Sequence, residues 1–288
     1  MTANLYALAA IALWASLSAL GVSLQHVPPF LLTGIALIIG SVLAWPFVIK
    51  NKRQWQVAPS MLGLGVFTLF GFHFLLFIAL RMAPAVEVNL VNYLWPLFIV
   101  LLAPFYLPRV TLRGVHIAAA ITGFAGAAIA ILGARDGVLI ASNSPPSSPA
   151  LGYLLALGSA LIWANYSLQT KRAEVTGKSF PTAAIGLFGL VSGVLSLACH
   201  VALESPVGLS RQDWLLLAVM GLGPLGAAFF LWDKALKLGD ARQIGILSYL
   251  TPLASTVLLM AVTGRALTWS IGLAAAMIIG AALVGARK

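Results

Sequence analysis

The residues of this chain that could do chemistry are few, and their spacing is helical. Asn89, Asn92, Tyr93 and Pro96 stand at i, i+3, i+4 and i+7, which puts them on one stripe of a helix. Gly245, Ser248, Tyr249 and Pro252 repeat that spacing later in the chain. An asparagine turned toward lipid would leave its amide without partners, so the stripe must face protein or water. Either these groups hydrogen-bond between helices around a proline kink, or they wall a cavity whose hinges are Pro96 and Pro252. Because both copies keep the stripe, the cavity reading is preferred. It places Asn89, Asn92, Tyr93, Trp95, Ser248 and Tyr249 around a substrate.

Two tryptophans, Trp14 and Trp163, lie in the middle of apolar runs, away from the interfacial belt where Trp usually sits. A buried indole still needs a partner for its N–H. Core packing accounts for these residues, and so does an aromatic-walled pocket containing Trp14, Ser18, Trp163, Tyr166 and Ser167. A third aromatic segment places Phe70, His73 and Phe77 on one face at i, i+3 and i+7. A lone histidine is more often a satisfied core group, but ionisable residues at mid-membrane are scarce and usually functional. His73 is therefore placed in the cavity with Phe70 and Phe77.

His73 and Glu87, which lies one turn into its apolar run, are the candidate proton carriers. Asp136, Glu174, Glu204, Asp213, Asp233 and Asp240 fall in loops or near helix ends. No carboxylate lies near a bilayer centre, where proton relays usually place one. Either His73 or Glu87 carries a proton, or transport is not obligately proton-coupled.

The sequence offers little to an enzyme. Gly221-Leu-Gly223-Pro-Leu-Gly226 fits GxGxxG but lies inside an apolar run with no βαβ unit, so it reads as a place of close helix approach or bending. GxSxG, HExxH and paired-aspartate motifs are missing, and Cys199 alone can form no intrachain disulfide. No cofactor or metal is expected. A membrane enzyme would have only His73 and Glu87 at depth, and a passive channel would need a polar path that the aromatics interrupt. Both rank behind a transporter.

The elements that hold these residues follow from composition. Of 288 residues, 61% are hydrophobic and 8% charged, against about 25% charged in soluble domains. Such a chain is solvated by lipid. Apolar runs long enough to span cover roughly 3–25, 28–49, 58–80, 84–106, 112–134, 150–170, 180–203, 212–236, 239–263 and 266–286. They do not alternate at period two, so a β-barrel is excluded. The first run has no basic residue before it and is too long for a signal-peptide core, so it reads as a retained helix. With ten spans, thirteen of the seventeen Lys and Arg residues collect on the side of the termini. That bias places both termini in the cytoplasm and makes the net charge of +10 a matter of topology; no nucleic acid partner is implied.

A polar segment rich in Pro and Ser, 135–149, divides five spans from five and reads as an exposed periplasmic linker between repeats at 1–134 and 150–288. An offset of 156 aligns the Tyr93-Leu-Trp-Pro96 segment with Tyr249-Leu-Thr-Pro252 without a gap, and an offset of 149 aligns Trp14 with Trp163 and Ser18 with Ser167. An odd number of spans per copy forces the second to insert upside-down, the construction of many secondary transporters. Gly123, Gly126, Ala127 and Ala130, and Gly272, Ala276 and Gly280, make the fifth and tenth spans small-residue helices. These suit tight packing between the halves or a weak dimer contact.

The ten spans, the Trp in the first helix of each copy and the Pro after Tyr-Leu in each fourth helix resemble the drug/metabolite transporter superfamily, in its EamA-type branch. Within it the chain is most similar to bacterial inner-membrane exporters of aromatic amino acids. The resemblance implies an all-α fold of two inverted five-helix repeats and a central cavity from the first four helices of each. It also implies alternating access and a small-molecule substrate such as an aromatic or neutral amino acid, with related compounds such as methyl viologen. No Lys or Arg lies at mid-membrane, which disfavours phosphorylated cargo. Aromatic walls suit a neutral or zwitterionic solute with an apolar body, and a lipophilic cation remains the alternative.

Overall fold

Proline opens several of the helices. Pro29, Pro59 and Pro149 occupy first-turn positions, where a missing N–H removes no helical bond and φ is already set. A computed structural model of the chain describes residues 2–108, 110–133, 148–263 and 268–285, without the side chains of residues 18, 259, 262 and 263. The described residues form ten helical passes: α1 Thr2–Ser23, α2 Pro29–Lys50, α3 Pro59–Met82, α4 Ala85–Tyr106, α5 Gly114–Gly133, α6 Pro149–Val175, α7 Ala184–Leu203, α8 Arg211–Leu238, α9 in two pieces (Ala241–Leu247 and Leu250–Thr263) and α10 Trp269–Gly285.

Eight of these are long and apolar enough to cross a membrane, and α10 is a shorter apolar helix. One differs from the sequence expectation. α6 continues to Val175, past the expected end at 170, because Lys171, Arg172 and Glu174 extend it as a charged last turn that needs no lipid. The 135–149 segment lies almost wholly outside the described residues.

Helices pair by a rule that exchanges the two halves. α2 packs on α7 and α5 on α10, while α3 packs on α6 as α8 packs on α1, and α4 packs on α6 as α9 packs on α1. Each pairing maps onto itself or onto another when helix n and helix n+5 exchange, as two inverted five-helix repeats require. Lipid supplies no hydrophobic drive between helices, so close approach and dispersion must hold them. At the α2–α8 crossing a Cβ on Gly40 would stand 2.8 Å from the Gly221 carbonyl oxygen and 2.9 Å from Gly226 Cα. This crossing uses the glycines of the false nucleotide motif. There α8 also widens into a π-turn at Gly223–Ala227, around Pro224.

The repeats close similarly at opposite faces. Arg81, ending α3, lies 5.7 Å over the Phe30 ring at the start of α2; Lys237, ending α8, lies 4.1 Å over Phe180 just before α7. Each cation has a buried carboxylate. Arg81 reaches Glu204 at 2.8 Å, and Lys237 reaches Asp233 at 2.8 Å.

Candidate functional site

α4 and α9 break at matching places. α4 loses its regular ladder at Tyr93–Leu94, and Leu94 N–H turns to the Val91 carbonyl at 3.1 Å; α9 does so at Ser248–Tyr249, with Thr251 N–H donating to Ser248 at 2.9 Å. Pro96 and Pro252, with no N–H to give four residues back, follow each break. These breaks flank a cavity of about 600 Å³ between the two halves.

The floor of the cavity is aromatic. Trp14 and Trp163, from the symmetry-related helices α1 and α6, meet edge to face at 5.7 Å, and Phe229 of α8 packs on both at 6.1 and 5.6 Å. Phe72 lies 5.5 Å and Trp95 6.3 Å from Trp163. Trp14 Nε1 donates to the Pro224 carbonyl at 3.1 Å, so the first tryptophan is fastened to the π-turn of α8. Below the floor Trp232 is fully buried and donates to Ser167 Oγ at 3.2 Å. Further down, Asp233 accepts from Lys237 and from Thr182 Oγ1 at 2.6 Å. That end is shut.

From the floor the lining runs to Gln25, Val27 and Pro29 at the α1–α2 turn, and to Leu80 and Ala85 at the α3–α4 turn. Those turns lie on the face opposite the termini, since Ala3 sits beside Gly239 and Gly285 beside Ile246 and Ala119. The cavity therefore leads away from the termini.

Of the residues expected around a substrate, Trp14, His73, Phe77, Asn89, Asn92, Tyr93, Trp95 and Trp163 line this cavity, as does Pro252. Pro96 is buried and is not among the lining residues. Others are elsewhere. Phe70 falls just past the edge of the α3 face formed by Phe72, His73, Leu76, Phe77 and Leu80, and packs on Phe74 at 5.6 Å. Tyr166 is behind the floor, 5.9 Å from Trp163, and Ser167 serves Trp232. Ser248 returns its hydroxyl to the Gly245 carbonyl at 2.6 Å. Tyr249 is fully buried against Phe124 and the notch left by Gly123, so it joins the scaffold of α5 and α10. The Ser18 side chain lies outside the described residues, and Glu87 is half-buried in the first turn of α4, away from the lining.

His73 Nδ1 sits 2.6 Å from the Leu69 carbonyl oxygen. A carbonyl can only accept, so Nδ1 carries the hydrogen of this contact.

Several lining residues escaped the sequence reading. Phe72 and Phe229 are among them, and so is a hydroxyl face on α9 made by Thr251, Ser255 and Thr256. Three hydroxyls at i, i+4 and i+5 in an apolar run are a legible signal; the repeat alignment drew attention to Ser248 and Tyr249 instead. Thr33 of α2 adds a buried hydroxyl. Among the described lining residues there is no Asp, Glu, Lys or Arg.

A helical pair of inverted repeats around an uncharged cavity is transporter architecture, and comparison with known proteins fixes which kind. The EamA-like transporter family matches residues 1–132 and 150–286. The chain belongs to the EamA-like transporter family. It is a multi-pass membrane transporter and not an enzyme. The transporter is 40% identical to the aromatic amino acid exporter YddG of Ancylobacter novellus, covering 98% of this chain and 96% of that protein. It is 26% identical to the protein of that name from Escherichia coli K12, over 98% and 96% of the two chains. A solved crystal structure superposes with a TM-score of 0.88 at 35% identity, covering 99% of the transporter and 98% of the other chain.

Proposed function

We propose that the transporter exports aromatic amino acids, and related neutral ones, across the cytoplasmic membrane by alternating access. The observation that carries this reading is the floor of Trp14, Trp163, Trp95, Phe72 and Phe229 beneath an uncharged cavity of about 600 Å³. Its volume lies in the range of small-ligand sites, about 300–1,000 Å³. An indole or phenyl ring stacks on such a floor, and a molecule with no net charge enters without a counter-ion. The full-length similarity to proteins named aromatic amino acid exporters supports the same substrate class. With both termini cytoplasmic, the cavity faces outward, and the inward state forms when the side chains around Trp232 and Asp233 part.

Transport into proteoliposomes tests the reading with radiolabelled tryptophan, phenylalanine, alanine and glutamate, and a lipophilic cationic dye. Saturable transport of tryptophan and phenylalanine, well above glutamate and the dye, is the expected result. Preference for the dye would replace the amino-acid reading with the drug-export one, and flux linear in concentration would indicate a channel.

A further inference from the structure

The outer side of α8 carries a second cavity, of about 340 Å³, which shares no lining residue with the first. Leu43 and Phe47 wall it from α2, and Ala227, Phe230 and Leu231 wall it from α8, a slot of apolar surface suited to an acyl chain. Phe47 is 60% exposed and Lys234 of α8 is exposed as well, so the slot opens outward, to the membrane. The rest of its lining is Gln54, Thr182 and Ala183, from the connectors that precede α3 and α7. Trp55 Nε1 donates to the Ala183 carbonyl at 3.0 Å, which fastens one connector to the other and fixes this rim.

The rim is cationic. Connectors 51–58 and 176–183 carry Lys52, Arg53 and Lys178 and no Asp or Glu. The Lys234 ammonium lies 5.5 Å over the Tyr6 ring, on the face of the termini, and pairs with no carboxylate among the described residues. Its neighbour Asp233 is turned inward, where Lys237 and Thr182 hold it. Basic pockets between helices at a membrane face attract anionic lipid head groups. A soluble anion would satisfy Lys234 but leave the apolar walls bare, and a zwitterionic lipid would fill the walls but bring no net charge to the rim.

We propose that this slot binds an anionic phospholipid, with the head group at Lys234 and Gln54 and an acyl chain between α2 and α8. The site does not depend on which substrate the transporter carries. Its inner wall is nevertheless the reverse of the substrate floor: Phe230 follows Phe229 on α8, and Ala227 ends the π-turn that receives the Trp14 indole. A lipid seated there backs the segment of α8 on which the floor is built.

Native mass spectrometry of the detergent-solubilised protein tests this with phosphatidylglycerol and phosphatidylcholine of matched acyl chains. The wild-type protein should bind phosphatidylglycerol the more tightly. One basic residue contributes about fivefold to the binding of an anionic lipid surface, so Lys234→Gln should weaken phosphatidylglycerol by about that factor and leave phosphatidylcholine unchanged. Lys234→Arg should keep wild-type binding, and so should Arg211→Gln, at the opposite end of α8. Leu231→Trp fills the slot without altering a charge and should weaken phosphatidylglycerol as well. Equal binding of the two lipids by the wild type, or unchanged binding by Lys234→Gln, overturns the assignment. Competition by glycerol phosphate as strong as that by the lipid would make this a soluble-anion site and overturns it too, as does a stable dimer that takes up neither lipid.

Discussion

Trp163 touches more of the cavity floor than any of its neighbours, with Trp14, Phe72, Trp95 and Phe229 all within ring-contact distance. Removing the indole should weaken binding of a ring and leave the polar anchors in place. Aromatic pairs contribute about 1 kcal/mol beyond burial, so Trp163→Ala should raise the KM for tryptophan roughly fivefold while that for alanine changes little. Leu273→Ala, on the lipid-exposed side of α10, is the control, measured at matched protein amounts. A Trp163→Ala protein with unchanged tryptophan transport would return this residue to core packing. Trp14 and Trp163 were legible in the sequence because tryptophan in mid-run is out of place. Tyr249 takes a different place from its counterpart Tyr93, because repeats copy sequence more faithfully than environment. Its ring fills the notch at Gly123, whereas Tyr93 lines the cavity.

Among elements, α8 does most to connect the cavity to the rest of the fold. Its π-turn receives the Trp14 indole, its glycines admit α2, and its last turns carry Asp233 and Lys237. The existence of the helices was legible from length and apolarity; the π-turn was not, because a pattern of apolar residues has no period that distinguishes one extra residue in a turn. The crossing gives a direct test. A side chain at Gly40 meets backbone atoms of Gly221 and Gly226, which cannot rotate away. Overpacking of this kind costs about 1–3 kcal/mol. Gly40→Val should lower the thermal unfolding midpoint of the detergent-solubilised protein, whereas Gly280→Ala, which faces open space, should not. Equal midpoints would mean that α2 and α8 shift freely, and the crossing would then be no constraint on α8.

For the whole molecule, the inverted relation of the halves is what lets one cavity serve two faces. Arg81 over Phe30 and Lys237 over Phe180 are the same device at opposite ends, yet the lining reaches only the face away from the termini. A two-fold pseudo-symmetric chain in an asymmetric state has a second state in which the halves exchange conformations, which is alternating access in structural terms. Which face is which depends on orientation, and the proposed one rests on charge: thirteen of seventeen basic residues are expected on the side of the termini, the side that such a bias keeps in the cytoplasm. Under that proposal the 135–149 segment is periplasmic. Asn143→Cys and Asn51→Cys, each made in a Cys199→Ser background, place one thiol on either side. A membrane-impermeant maleimide added to intact cells should label position 143 and leave position 51 unlabelled until the cells are broken. Labelling in the reverse order would invert the topology, turn the cavity toward the cytoplasm, and make this conformation the one that loads substrate for export.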